Sequence, residues 1–135
     1  MTLEELRDAW RPGKPENGRI QEKIWDERAE DFEIKELPSA ENNEFLRYLY
    51  EKARPDRSMS ALDIGCGGGK YSLALAKDVK EAAGTDVSGR MLEAARRYAR
   101  KEQLSNVSFY KEDWQTADID ALGFRGRFDL VFAHM

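Results

Sequence analysis

The sequence lacks the features that mark several common classes of protein. Its 135 residues include a single cysteine, Cys66, so an internal disulfide is excluded and a reducing compartment is favoured. It has no apolar run that approaches the length of a bilayer-spanning helix. Residues 1–5 are acidic and lack the basic and then apolar order of a signal peptide. We therefore expect a cytoplasmic protein with no membrane partner.

An excess of basic residues is also missing. Lys and Arg total 22 against 26 Asp and Glu, which gives a net charge of −4. DNA, RNA and anionic membranes attract basic surfaces, so we expect no nucleic-acid partner. The charged fraction of 36% and the hydrophobic fraction of 41% are those of a folded domain, and this length provides one domain with a modest core.

The first part of the chain, residues 1–57, is polar and has helical periodicity. The pattern predicts helices over residues 3–10, 20–32 and 39–53, with Ser39 as the N-cap of the third. Pro55 ends this segment, because the residue before a proline disfavours the helical conformation. We expect an N-terminal helical segment that precedes a second structural unit.

The periodicity changes in the second part, residues 58–135. Apolar or alternating runs predict strands over residues 59–64, 81–86, 107–110 and 128–133. Helical patterns follow the first two strands, and Ser88 is the expected N-cap of the second of these helices. Strands that alternate with helices predict βαβ units, and hence an α/β fold with a parallel sheet and right-handed crossovers.

A cluster of glycines lies where the first predicted strand passes into a helix. Residues 61–69 read Ala-Leu-Asp-Ile-Gly-Cys-Gly-Gly-Gly, and glycine removes the Cβ that would keep a ligand away from the backbone. Asp86 ends the second strand, 21 residues after Gly65. A carboxylate there can accept hydrogen bonds from both hydroxyls of a ribose. The spacing predicts a nucleoside at the carboxyl edge of the first two strands.

Two positions distinguish between nucleosides. The dinucleotide fingerprint requires a third glycine where this chain has Lys70, and it does not need an acid at Asp63. An acid two residues before Gly65 favours a ligand with a positive amino group. S-adenosylmethionine has a ribose, an adenine and an ammonium group but no phosphate, so the residues fit it better than NAD. An NAD-type oxidoreductase is the weaker alternative.

Residues 61–69 and 84–96 resemble the first two motifs of class I S-adenosylmethionine-dependent methyltransferases, and residues 113–114 and 128–134 resemble the third and fourth. The resemblance implies a Rossmann-like three-layer sandwich whose parallel strands follow the order 3-2-1-4. Residues 25–29 are similar to a helix that often covers the cofactor in this family. The resemblance therefore implies that residues 1–57 cap the site and that residues 58–135 form the S-adenosylmethionine-binding half of a methyltransferase domain.

The same resemblance implies ten cofactor-binding residues. The acid and loop of the first motif line the methionine moiety and the sulfonium. The acid of the second motif binds the ribose, and two residues after it flank the adenine. An acid and a tryptophan after the third strand also meet the adenine, and the end of the fourth strand faces the transferring methyl group. In chain order these residues are Asp63, Gly65, Cys66, Gly67, Asp86, Val87, Met91, Asp113, Trp114 and Ala133. No metal site is predicted.

The sequence does not identify a catalytic residue. Methyl transfer from a sulfonium depends mainly on positioning, and a base is needed only where the acceptor must lose a proton. His134, the only histidine, is one candidate base, although no partner for it is visible in the sequence. We expect a methyltransferase that acts on a small molecule; a non-catalytic S-adenosylmethionine-binding module is the alternative.

The end of the sequence gives a further expectation. In the family that this chain resembles, the sheet continues past the fourth strand, so we expect a chain that is C-terminally incomplete. The apolar fourth strand would then lie at an edge, where unpaired backbone groups recruit another strand. We therefore expect the chain to self-associate through the fourth strand, or to be marginally stable, and to show little or no methyl transfer alone.

Overall fold

The computed structural model describes residues 2–3 and 15–134, and most of the helix predicted over residues 3–10 lies outside this part of the chain. The described helices are α1 (Pro15–Glu27), α2 (Glu44–Ala53), α3 (Lys70–Ala76), α4 (Gly89–Lys101) and α5 (Ile119–Leu122), with a 3-10 turn at Ala29–Phe32. The strands are β1 (Ser60–Ile64), β2 (Glu81–Asp86), β3 (Val107–Lys111) and β4 (Leu130–Ala133).

The four strands form one parallel sheet in the order β3-β2-β1-β4, which confirms the predicted class and strand order. Side chains alternate between its two faces. On one face Leu62 and Ala83 pack against Phe124 and the α5 region. On the other face, Ala82 and Phe109 belong to clusters shared with α2, α3 and α4. The result is the predicted three-layer sandwich.

Helix α2 begins later than the sequence pattern predicts, and Ser39 is not its N-cap. The side chain of Asn43 caps the helix by accepting a hydrogen bond from the Leu46 amide at 2.9 Å. Ser39 begins a turn instead, in which its carbonyl accepts from the Asn43 amide at 2.9 Å. Both residue types favour N-caps, and Asn43 starts the helix at the point where Leu46 enters the core.

The helix predicted over residues 20–32 is divided in two. Helix α1 ends at Glu27, and a separate 3-10 turn follows at Ala29–Phe32. Ala29 is buried, and this turn packs against α4. Helix α1 and the turn therefore each contact α4 as separate elements.

Strand β4 begins at Leu130 rather than at residue 128. Asp129 forms two hydrogen bonds with the first residue of β1: its amide donates to the Ser60 carbonyl, and its carboxylate accepts from the Ser60 amide, both at 2.9 Å. Phe128 packs against Phe124 instead of extending the strand. In the described part of the chain β4 pairs with β1 alone, as expected for an edge strand, and the side chain of Val131 is 54% exposed.

Two smaller differences concern the elements between the strands. The sequence reading did not predict α5, a single turn that Asp118 caps by accepting from the Ala121 amide at 3.1 Å. Ser88 caps α4 as predicted, by accepting from the Met91 amide at 3.2 Å. Among residues 2–3 and 15–134, no helix is both long enough and apolar enough to cross a bilayer.

Candidate functional site

The glycine loop after β1 is open at its start and crowded at its centre. Gly65 has φ of +70°, and a Cβ built there would have no heavy atom within 4 Å. Glycine is therefore favoured at position 65 by backbone conformation, and space remains above it. A Cβ on Gly68 would lie 2.8 Å from the Phe32 carbonyl oxygen, so the N-terminal segment passes directly over the loop. The loop is thus covered on one side and accessible at Gly65.

Asp86, at the end of β2, joins the glycine loop to the loop before α4. One carboxylate oxygen accepts from the Gly67 amide and the other from the Ser88 amide, each at 2.9 Å. The residue is only half buried. A carboxylate can accept about four hydrogen bonds in all, so each oxygen retains capacity for a ligand hydroxyl. The two backbone bonds fix the orientation of the group before any ligand arrives.

Asp63 is the acid beneath the loop, and its side chain is only 3% exposed. Burial raises the pKa of this carboxyl to about 7, and the negative charge of Asp86 adds to the rise, whereas a hydrogen bond from Ser72 Oγ at 3.0 Å opposes it. A cation placed above Asp63 would favour its charged form. The buried acid is therefore suited to a ligand that carries a positive group.

Cys66 is a packing residue of the loop. Burial, together with the charges of Asp63 and Asp86, raises the pKa of its thiol well above the ordinary value. The thiolate is disfavoured, which is typical of a structural rather than a reactive cysteine. A Cβ on Gly84 would lie 2.7 Å from Cys66 Sγ. Glycine at position 84 of β2 therefore makes room for the loop.

The remaining predicted residues lie along the same edge of the sheet, with different surroundings. Met91 is buried, and its sulfur would lie 3.4 Å from a Cβ on Gly67. Val87 is half buried, and Trp114 is 38% exposed. Asp113 accepts from the Gln115 amide at 3.0 Å.

The carboxylate of Asp113 also contacts helix α1. A Cβ on Gly18 would collide with that carboxylate, so α1 passes beside the position predicted to meet the adenine. At the opposite end of the site Ala133 is exposed and pairs in register with Ile64. The structure therefore brings Asp63, the glycine loop, Asp86 and Met91 into one group, with Asp113 on the side of α1.

Helix α1 is attached to this edge by contacts that the sequence did not reveal. Asp26 accepts a hydrogen bond from Ser88 Oγ at 2.6 Å and one from the Arg90 amide at 3.3 Å, at the start of α4. The Glu22 carboxylate pairs with Lys111 Nζ at 2.6 Å, at the end of β3. These partners lie more than 60 positions apart in the chain, so no local pattern could have paired them. Both contacts hold α1 close to the loop that carries Asp86.

No group of three or more metal-binding side chains occurs in the part of the chain that the structure describes. The site is therefore built from two carboxylates, backbone amides and glycine turns. It can hold a ligand that offers hydroxyl donors to Asp86 and a cation to Asp63.

The sequence of this site matches a known family. The model of a family described as "methyltransferase domain" matches residues 55–135. Among curated relatives, a 23S rRNA (uracil(1939)-C(5))-methyltransferase of Aliivibrio fischeri is 48% identical over 52 residues, which are 38% of this chain and 12% of the relative. A ubiquinone biosynthesis O-methyltransferase of Coxiella burnetii is 37% identical over 86 residues, which are 64% of this chain and 34% of the relative. The chain thus spans about a third or less of these relatives.

Solved structures share the fold. An RNA methyltransferase from Salinibacter ruber, in complex with S-adenosyl-L-homocysteine, superposes with a TM-score of 0.59 at 20% identity, over 73% of this chain and 61% of that one. The YcgJ protein of Bacillus subtilis superposes with a TM-score of 0.55 at 27% identity, over 65% of this chain and 36% of that one. At such identities the likeness establishes a common architecture.

Proposed function

Because this chain belongs to the methyltransferase-domain family, we propose that it binds S-adenosylmethionine at the carboxyl edge of its sheet and supplies the cofactor half of an enzyme that methylates a small molecule. The observation that carries the proposal is the placement of two acids around the glycine loop. Asp63 lies buried beneath the loop, and Asp86 is held at its side by two backbone amides.

The ribose fits Asp86. Its two carboxylate oxygens are already oriented by the Gly67 and Ser88 amides, and their remaining lone pairs can accept from two adjacent hydroxyls. Val87 and Met91 follow directly in the chain and would flank the adenine, while Asp113 and Trp114 would border it on the side of α1. Helix α1 would enclose this end of the cofactor.

The methionine end fits the first acid and the open part of the loop. Asp63 would stabilise the ammonium group, and Gly65, Cys66 and Gly67 would line the chain that leads to the sulfonium. The bound cofactor would supply an electrophilic methyl group. Ala133, beside Ile64 at the end of β4, would face that methyl group. The role of the chain in the reaction is to position the methyl group and to exclude water.

NAD is the weaker alternative. Lys70 occupies the position of the third glycine of the dinucleotide fingerprint, and the buried carboxyl of Asp63 would face a ligand that carries a negative pyrophosphate. Isothermal titration calorimetry of the chain with S-adenosylhomocysteine and with NAD decides between the two. We expect binding of S-adenosylhomocysteine and much weaker binding of NAD; equal affinities would refute the cofactor assignment.

The small-molecule acceptor is favoured by charge. Relatives of this chain include both an rRNA methyltransferase and an O-methyltransferase of ubiquinone biosynthesis, so similarity leaves both classes open. The chain has a net charge of −4. Three basic residues, Arg57, Lys77 and Lys80, line a groove beside the starts of β1 and β2, which is the edge opposite the site. On the side of the site, the groove beside α1 has as many acidic as basic residues and so offers a phosphate backbone no excess of positive charge: Arg19, Glu22, Lys23, Asp26, Glu27 and Arg90.

A non-catalytic module is the second candidate function, because the binding half can hold the cofactor without an acceptor site. The chain incubated with S-adenosylmethionine and a panel of phenols distinguishes the two through the S-adenosylhomocysteine that it forms. Turnover above the rate without protein supports the enzyme. Tight binding with no turnover, for this chain and for any longer protein that contains it, would support the module.

A further inference from the structure

Helix α3 carries one polar side chain in an otherwise apolar buried run. Residues 72–76 are all buried, and Ser72 is the only one of them that is not leucine or alanine. Alanine is the better helix former, and a buried hydroxyl costs free energy unless it forms a hydrogen bond. Ser72 is 1% exposed, so its hydroxyl needs a partner within the protein. Neither helix formation nor apolar packing accounts for a serine at this position.

The partner of the Ser72 hydroxyl is Asp63 of the neighbouring strand β1. Ser72 Oγ donates a hydrogen bond to Asp63 Oδ2 at 3.0 Å, and both side chains are buried. A serine within a helix often donates to a carbonyl of the preceding turn of its own helix. Here the hydroxyl is directed across to the strand instead. The bond thus connects α3 to the acid beneath the glycine loop.

Asp63 has no cation beside it in the described part of the chain. None of the ion pairs found there includes Asp63. Its register partner on β4 is Phe132, which carries no charge. The ionisable groups coupled to it are Asp86, whose negative charge raises the pKa of Asp63, and the thiol of Cys66. Hydrogen bonding to Ser72 lowers that pKa, so Ser72 is the residue that favours the carboxylate form before a ligand binds.

The two carboxylate oxygens of Asp63 have different surroundings. Oδ2 accepts from Ser72, whereas Oδ1 accepts no hydrogen bond from residues 15–134. Among the residues that the structure describes, no fully buried side-chain oxygen or nitrogen lacks a hydrogen-bond partner, so Oδ1 is within reach of solvent. The Ser72 hydroxyl therefore holds one oxygen and leaves the other accessible to a ligand.

We propose that Ser72 is a positioning residue of the cofactor site, and that its hydroxyl holds Asp63 with the accessible oxygen ready for the ammonium group of S-adenosylmethionine. The proposal rests on the function proposed above, because it concerns the acid expected to bind the methionine end of the cofactor. The ammonium group favours the carboxylate form of Asp63 over the neutral acid. A protonated Asp63 therefore releases its proton to water when the ammonium group binds.

This exchange makes cofactor affinity depend on pH. Since the pKa of Asp63 is about 7, the carboxyl is about nine tenths ionised at pH 8 and about one tenth ionised at pH 6. S-adenosylhomocysteine carries the same ammonium group, so its affinity should fall about tenfold as the pH decreases over this interval. Removal of the Ser72 hydroxyl removes a group that lowers the pKa, and the fall in affinity should then begin at a higher pH.

Calorimetric titration with S-adenosylhomocysteine, from about pH 5.5 to pH 8.5, measures this profile. We expect Ser72→Ala to move its midpoint upward by about 0.5–1 pH unit and to weaken binding at pH 7 about two- to fivefold. Ser72→Thr keeps the hydroxyl and should keep the midpoint of the parent chain. Ser60→Ala is the matched control, because Ser60 is another buried serine, at the opposite end of β1; it should leave the midpoint unchanged.

A second measurement follows Asp63 without any ligand. The chain is labelled with 13C-aspartate, and its carboxyl signals are titrated by NMR; the signal of Asp63 is the one that Asp63→Asn removes. We expect Ser72→Ala to raise the pKa of Asp63 and Ser60→Ala to leave it unchanged. This readout reports the charge of the acid directly, so it separates the loss of the hydroxyl from a general loss of stability.

Three outcomes would overturn the proposal. One is a parent chain that binds S-adenosylhomocysteine equally well at pH 6 and pH 8. Another is a Ser72→Ala variant that loses the same affinity at every pH, which would give Ser72 a packing role alone. The third is a titration of Asp63 that is identical in the parent chain and in Ser72→Ala. Failure of the proposed function is distinguishable, because the parent chain would then bind no S-adenosylhomocysteine at any pH, whereas failure of the positioning role leaves that binding intact.

Discussion

Asp86 gives the sharpest test of the cofactor assignment, because its two roles can be separated. In the folded chain its carboxylate accepts from the amides of Gly67 and Ser88. In the proposed complex it also accepts from two ribose hydroxyls. Asp86→Ala removes both sets of bonds, so a simple loss of affinity would not show which set matters.

The magnitude follows from the count of bonds. A hydrogen bond to a charged group contributes about 1.5–3 kcal/mol, and part of the loss is recovered when water replaces the carboxylate. We expect Asp86→Ala to weaken S-adenosylhomocysteine binding by about 1–3 kcal/mol, or roughly 5- to 150-fold. Cys66→Ala, in the same loop, should have a much smaller effect, because the thiol is buried and alanine is also small enough for the loop.

A double-mutant cycle separates the ribose from the loop. Affinities are measured by calorimetry for the parent chain and for Asp86→Ala, each with S-adenosylhomocysteine and with its 2′-deoxy analogue. If Asp86 binds the ribose, removal of the hydroxyl costs affinity in the parent chain and little in the variant. We expect a coupling energy of about 1 kcal/mol or more. A coupling energy near zero, with a large loss from Asp86→Ala alone, would mean that the residue only supports the loop.

Three further predictions use different measurements. Because the pKa of Asp63 is raised to about 7 in the folded chain, its burial opposes folding increasingly as the pH rises from about 4 to 7. Asp63→Asn should therefore increase the free energy of unfolding at pH 8 by about 1–3 kcal/mol, measured with urea, and should weaken the binding of S-adenosylhomocysteine. An unchanged free energy of unfolding at pH 8 would contradict this. Asp26→Ala should lower the free energy of unfolding in urea by about 0.5–2 kcal/mol, because the contact of α1 with α4 is lost. Glu27→Ala, at the exposed neighbouring position, should lower it by less than about 0.5 kcal/mol, and equal losses would argue against that contact. Val131→Lys should shift any dimer toward monomer in light scattering, and an unchanged dimer would exclude the β4 edge as its interface.

The sheet and the loop could be predicted because local sequence determines them. A short apolar run bounded by Gly65, and an acid at the end of the next strand, identify β1, β2 and the turn between β1 and α3. The start of α2 could not be predicted, since Ser39 and Asn43 are both good N-caps and the choice depends on which start places Leu46 in the core. Local propensity yields to tertiary packing at such points.

The parts of the site that distant segments contribute could not be predicted either, for the same reason. The contact between Asp26 and Ser88 joins residues whose spacing carries no signal. The ring contacts of His134 depend on strand register, because His134 reaches Phe45 and Tyr71 only when Ala133 pairs with Ile64. A sequence read in isolation shows these residues as unrelated.

The two hydrogen bonds between Asp129 and Ser60 lie at the amino end of β4, whereas His134 follows its carboxyl end. His134 lies five residue steps of extended chain after Asp129, a distance of about 16 Å. A slip of one residue would turn every side chain of β4 to the opposite face, so the anchor that prevents a slip determines which residue lies beside the glycine loop. Position 134 can therefore change identity without disturbing the strand's placement. The surface beside Gly65 can vary at that position while the glycine loop and the core stay as they are.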